Sequence, residues 1–79
     1  MRALCLITIK PGTIDKVTES LLKKRNIAKE VLPVTGRADV CVILNGSIDN
    51  INTAVMDFKK IGDIVSTETL MEIEVDLGW

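Results

Sequence analysis

A small α+β domain ordered strand-helix-strand-strand-helix-strand is the fold class this sequence predicts, and three observations carry it. The segments Ala3 to Ile9 and Val40 to Leu44 are apolar almost without interruption. Two stretches beginning near Thr13 and Ser47 space their apolar residues at helical intervals, and the pairs Pro11-Gly12 and Asn45-Gly46 mark turns. A strand with one wet face alternates apolar and polar residues, so an unbroken apolar run means that both faces are covered. Two helices on one side of a sheet leave the other side to something else. In a chain of 79 residues that cover is most simply a second copy.

The first strand runs from about Arg2 to Ile9 and stops at Pro11-Gly12. Thr13 is placed to cap a helix that puts Ile14, Val17, Leu21 and Leu22 on one face and Asp15, Lys16, Glu19 and Lys23 on the other. Arg25-Asn26 is expected to close that helix, because Asn tolerates the left-handed conformation at a C-terminus. A second strand follows over about Ala28 to Val34, and Pro33 assigns it to a sheet edge since proline has no N–H to donate. The short link Thr35-Gly36-Arg37-Ala38 predicts an antiparallel hairpin into a third strand, Asp39 to Leu44.

Ser47 then caps a second helix with Asp49 in its first turn and Ile48, Ile51, Val55 and Phe58 along one face. Lys59-Lys60 and Gly62 end it. The last strand is expected over about Asp63 to Leu77, with Met71, Ile73, Val75 and Leu77 on one side and Glu72, Glu74 and Asp76 on the other. The acidic row discourages edge pairing, and solvated charge explains it better than a divalent cation does. The sum is a ferredoxin-like βαββαβ sandwich, a four-stranded antiparallel sheet with both right-handed crossovers laying a helix on the same face. The first and third strands are central, and the expected assembly is a dimeric, α/β barrel-like one.

Residues 1–79 make one domain. A chain of this size buries only about 60–65% of its unfolded surface and is marginal alone. A hydrophobic share of 47% excludes intrinsic disorder. No apolar run approaches the ~18 residues of a membrane span and no signal-peptide pattern opens the chain, so a cytoplasmic location is expected. A net charge of −1 supplies no Lys/Arg surplus for nucleic acid, and Lys23-Lys24-Arg25 reads as complementing a helix end. With no His and no Tyr, imidazole acid–base chemistry and His ligation are absent, and no metal or other cofactor is expected. Cys5 and Cys41 lie in the two most apolar strands and read as core packing.

Two polar interruptions are candidate sites. Thr35-Gly36-Arg37-Ala38-Asp39 is turn chemistry on one reading. On the other it is a zwitterion site, with N–H groups near Gly36 holding a carboxylate and Asp39 pairing with an ammonium. Ser66-Thr67-Glu68-Thr69 is either a strand ladder or a row of hydroxyls suited to a polar ligand. Composition alone favours the structural reading of both.

Val34-Thr35-Gly36-Arg37-Ala38-Asp39-Val40, followed by Ile61-Gly62-Asp63-Ile64-Val65-Ser66-Thr67-Glu68-Thr69-Leu70, resembles the effector-binding domain of Lrp/AsnC transcription regulators. That domain is also known as the regulation-of-amino-acid-metabolism (RAM) domain. The opening strand ending in Lys10-Pro11-Gly12 is similar to that family as well, so the resemblance spans the chain. It implies sheet-to-sheet dimers, larger rings such as octamers, and amino-acid effectors bound between subunits. By position, Gly36, Arg37, Ala38 and Asp39 match the turn that holds the ligand's backbone end, and Ser66, Thr67 and Thr69 match the strand lining such sites. Full-length members begin with a winged helix-turn-helix domain, whereas Met1 here leads directly into the first strand. The expectation is a stand-alone, non-catalytic amino-acid-binding module that contacts no DNA itself and joins full-length regulators of the family. The alternatives are a small dimeric ferredoxin-like enzyme, for which Asp39, Arg37 and Glu68 are the charged candidates, and a purely structural adaptor.

Overall fold

The computed structural model describes residues 1–24 and 28–73. The proposed helix stop at Arg25-Asn26, the alternation over residues 74–77 and the terminal Trp79 lie outside the described residues. The described chain runs β1 (Arg2–Ile9), α1 (Ile14–Leu22), β2 (Ala28–Pro33), β3 (Val40–Asn45), α2 (Ile48–Phe58) and β4 (Ile64–Met71). All strand pairs are antiparallel and the sheet order is β2-β3-β1-β4. The ferredoxin-like α+β fold expected from the sequence is thus the fold found, with β1 and β3 central and Pro33 on an edge strand.

The two central strands direct alternate residues to opposite faces. Ala3, Cys5, Ile7 and Ile9 of β1 and Val40, Val42 and Leu44 of β3 are buried beneath the helices. They form one core with Val17 and Leu21 of α1 and Ile51, Ala54 and Phe58 of α2. The other phase, Leu4 and Leu6 of β1 with Cys41 and Ile43 of β3, points to the helix-free face and is only partly shielded.

Both helices bury a narrower stripe than expected. At about 100° per residue, Val17 and Leu21 lie close together, while Leu22 falls on the flank and is exposed. In α2 the stripe is centred between Ile51 and Phe58 with Ala54 beside them. Ile48 sits roughly 80° from that centre and is 54% exposed, correcting its assignment to the buried face. Val55, about 60° off, is half-buried and packs against the core margin.

The caps differ for a backbone reason. Ser47 is extended (φ −73°, ψ 164°), so its Oγ accepts the Asn50 N–H at 3.1 Å. Thr13 (φ −110°, ψ 10°) is not extended and makes no side-chain cap. Its hydroxyl instead donates to the Lys10 carbonyl at 2.6 Å and ties the Pro11-Gly12 turn to the helix entrance. Gly12 supplies that turn with φ +80°.

β4 is shorter than expected. Its pairing with β1 runs from Ile64 to Met71, and Ile73, placed in the strand by the sequence, is 76% exposed beyond its end. At that end Arg2 and Glu72 clamp the sheet. The Arg2 guanidinium donates from Nη2 at 2.6 Å and from Nε at 3.1 Å to Oε2 of Glu72. This ion pair holds the Glu72 carboxyl below its usual range and the Arg2 guanidinium above its own.

Candidate functional site

The hairpin between β2 and β3 is closed by the Val34 N–H donating to the Asp39 carbonyl at 2.9 Å. Gly36 at its tip has φ +120°, a conformation that side chains rarely adopt. Beyond the tip Ala38 is buried, and the Asp39 N–H donates to the Ile7 carbonyl at 2.9 Å, extending the β1–β3 ladder past the formal end of β3. Asp39 Oδ2 accepts the Ile9 N–H, also at 2.9 Å. Both backbone and side chain of Asp39 therefore hold the end of β1.

The strand register decides which predicted residues meet. Ser66 pairs with Thr8, Glu68 with Leu6 and Leu70 with Leu4, all on the helix-free face. Thr67 and Thr69 pair with Ile7 and Cys5, whose side chains point toward the helices. The Thr69 hydroxyl accordingly lies 3.8 Å from Cys5 Sγ, to which it donates. Burial pushes the Cys5 thiol above its ordinary value, with the Thr69 hydrogen bond pulling the other way.

Arg37 reaches from the hairpin to β4, where its Nη2 donates to Glu68 Oε2 at 3.2 Å. Next to this pair is a depression of about 220 Å³ bordered by Leu6, Thr8, Arg37, Ala38, Ser66, Thr67 and Glu68. Four predicted residues, Arg37, Ala38, Ser66 and Thr67, thus share one hollow. Asp39 does not border it. It faces a separate hollow of about 510 Å³ formed with Ile9, Lys10, Pro11, Gly12, Ile14, Pro33 and Val34. Gly36 shapes the turn and Thr69 is turned to the core side. Glu68, Thr8 and Leu6 are the lining residues absent from the predicted set. Glu68 was legible as the one charge inside a hydroxyl run, in the phase opposite Thr67 and Thr69.

The helix-free face is organised in rows by the same register. Arg2, Asn45 and Glu72 make a polar row at one end. Leu4, Ile43 and Leu70 form an apolar row, and Leu6, Cys41 and Leu32 a second that meets Glu68. Thr8 and Ser66 make the far end polar again. Leu4 at 40%, Leu32 at 42% and Leu70 at 46% exposure are large apolar side chains in water. No helix among the described residues is long and apolar enough to cross a membrane.

Comparison with family models found no match, and none was found among curated protein sequences. Solved structures do match. FFRP-DM1 is 24% identical with a TM-score of 0.82, over 91% of this chain and 97% of that one. TTHA0845 from Thermus thermophilus is 19% identical with a TM-score of 0.84, over 95% of each chain. E. coli AsnC is 21% identical with a TM-score of 0.77, over 94% of this chain but 51% of AsnC. The enzyme TftG, a 5-chloro-2-hydroxyhydroquinone dehydrochlorinase from Burkholderia phenoliruptrix AC1100, matches at 18% identity and TM-score 0.63 over 95% of this chain and 96% of its own. The chain therefore shares its fold, over nearly its whole length, with proteins of the Lrp/AsnC family and with at least one enzyme.

Proposed function

We propose that this chain is a non-catalytic regulatory module of the Lrp/AsnC kind, which docks onto copies of itself through the helix-free sheet face and binds an amino acid beside that face. The observation that carries the reading is the pairing of two apolar rows with an adjoining polar hollow on one surface. Leu4, Ile43, Leu70, Leu6, Cys41 and Leu32 offer the apolar area that a docking partner removes from water. The hollow beside Arg37 and Glu68 opens on the same side, so a docked copy roofs it.

In this reading Arg37, Ala38, Ser66 and Thr67 line the effector site, and Gly36 and Asp39 hold the hairpin in the shape that presents them. Thr69 fixes β4 from the core side. Assembly into a larger ring and association with full-length regulators of the family extend the same surfaces, and the likeness to FFRP-DM1 and AsnC supports that role. A cytoplasmic setting fits it.

Sedimentation velocity of the full chain at micromolar concentration tests the docking half, with a dimer or larger species as the expected result and a stable monomer as the contrary one. Isothermal titration of the assembled protein with each standard amino acid tests the sensing half. Failure of all of them to bind removes it.

The fold likeness to TftG favours one second reading, a small enzyme. The chain has no His or Tyr, and the Asp39 carboxylate already accepts a backbone N–H, which leaves Glu68 as the acid–base candidate in the polar hollow. Turnover lost on Glu68→Gln, with ligand binding kept, would favour the enzyme.

A further inference from the structure

We infer that Arg37 and Glu68 recognise the two charged ends of a zwitterionic amino acid, the guanidinium taking the carboxylate and Glu68 the ammonium. This rests on the amino-acid reading above and moves ammonium recognition from Asp39 to Glu68. Asp39 is poorly placed for that task. Its Oδ2 is engaged by the Ile9 N–H, and its side chain borders a different hollow from Arg37, Ser66 and Thr67.

The Arg37–Glu68 pair has the opposite arrangement of charge to an amino acid's backbone end. A cation and an anion 3.2 Å apart stand at one rim of a hollow, carried on separate elements, the hairpin and β4. Their side chains are 80% and 49% exposed. An ion pair so wet is weakly held, so a ligand that satisfies both partners separates them at little cost. The planar guanidinium fork matches a carboxylate with two parallel hydrogen bonds, and a carboxylate accepts readily from an ammonium.

Ligand class follows from the same balance. The pair is neutral as a unit, so a molecule with only one charge leaves either Arg37 or Glu68 without its partner. A zwitterion replaces both. The remaining lining is short and polar, with hydroxyls from Thr8 and Ser66 beside Leu6, and the hollow is about 220 Å³. That is smaller than the ~300–1,000 Å³ typical of pockets for drug-sized ligands. The geometry suits an amino acid whose side chain is small, uncharged and polar.

The experiment is isothermal titration of the full chain with each of the twenty standard L-amino acids. The tightest binder is then compared with its carboxamide and its N-acetyl derivative on wild type, Arg37→Gln and Glu68→Gln. Both residues are exposed, and thermal melts followed by circular dichroism should leave the variants folded like the wild type. Each variant is expected to weaken the parent amino acid by about tenfold or more. The carboxamide should lose nothing further on Arg37→Gln, nor the N-acetyl derivative on Glu68→Gln, since each contact is already gone. Unchanged affinity in both variants overturns this assignment while leaving amino-acid sensing intact. Weakened binding whose losses add in the matched pairs also overturns it, by excluding direct contact. Absence of binding by all twenty overturns the sensing reading and the assignment together.

Discussion

Asp39 Oδ2 accepts the Ile9 N–H at 2.9 Å where the pairing of β1 with β4 slips between Thr8 and Ile9. Ser66 faces Thr8 and Ile64 faces Ile9, so Val65 is the extra residue of a bulge and is turned to water. The Ile9 N–H, however, points to the β3 side, where the β1–β3 pairing has already ended at Ile7 and Val40, and a partly buried donor must find an acceptor. Asp39 supplies it from the neighbouring strand. Asp39→Ala should therefore destabilise the domain by about 1–3 kcal/mol, read from the midpoint of urea unfolding. Asp39→Asn keeps an acceptor oxygen and should recover most of that loss. Equal stability of the alanine variant and wild type would show that the bond is dispensable.

Phe58 is fully buried and is the largest such side chain in the core. Phe58→Ala should cost about 3–5 kcal/mol, a large share of what a domain this small has available. Loss of a cooperative thermal transition by circular dichroism is the expected result. By contrast Met56, on the outer side of the same helix and 59% exposed, should tolerate alanine within about 0.5 kcal/mol.

Replacing Ile43 or Leu4 by lysine places a charge in the middle of the apolar rows without touching the helix-facing core. Under the proposed docking both variants should stay folded yet sediment as smaller species than wild type. Sedimentation unchanged by both substitutions would remove this face from the interface.

Burial raises the Cys5 thiol above its ordinary value, and this gives stability an alkaline limit. The unfolded chain's thiol ionises first, at about pH 8.5. Below that value the contribution is intact, and it declines as pH rises through the unfolded value toward the higher folded one. Urea midpoints taken from pH 7 to 10 should fall more steeply in wild type than in Cys5→Ala, which lacks the titrating group. At neutral pH, in the Leu4→Lys variant that leaves the sheet face uncovered, the half-buried Cys41 should react with a thiol reagent well before the buried Cys5.

The sequence disclosed the fold because its message there is repeated. The unbroken apolar runs in β1 and β3, the Pro33 edge marker and two helix periods all require the same strand order. It disclosed caps only in part. Ser47 and Thr13 are equivalent on chemistry, and a backbone angle set by the preceding turn decides which one caps. It placed Ile48 and Leu22 on buried faces because spacing alone does not reveal where a stripe is centred. The site was the least legible part. Asp39 and Arg37 are two residues apart, yet one serves the end of β1 and the other reaches β4. Only the strand register separates them.

The strand order also dictates a sequence of events during synthesis. β2 and β3 are joined by a short hairpin and find each other as soon as both have emerged. β1, made first, has β3 and β4 as neighbours, and its first residues pair with Asn45 and Met71. The opening strand must therefore wait until β4 has left the ribosome before both its edges are satisfied. Nascent molecules thus pass through a stage in which the most apolar strand is the least protected, and that stage ends only when β4 arrives.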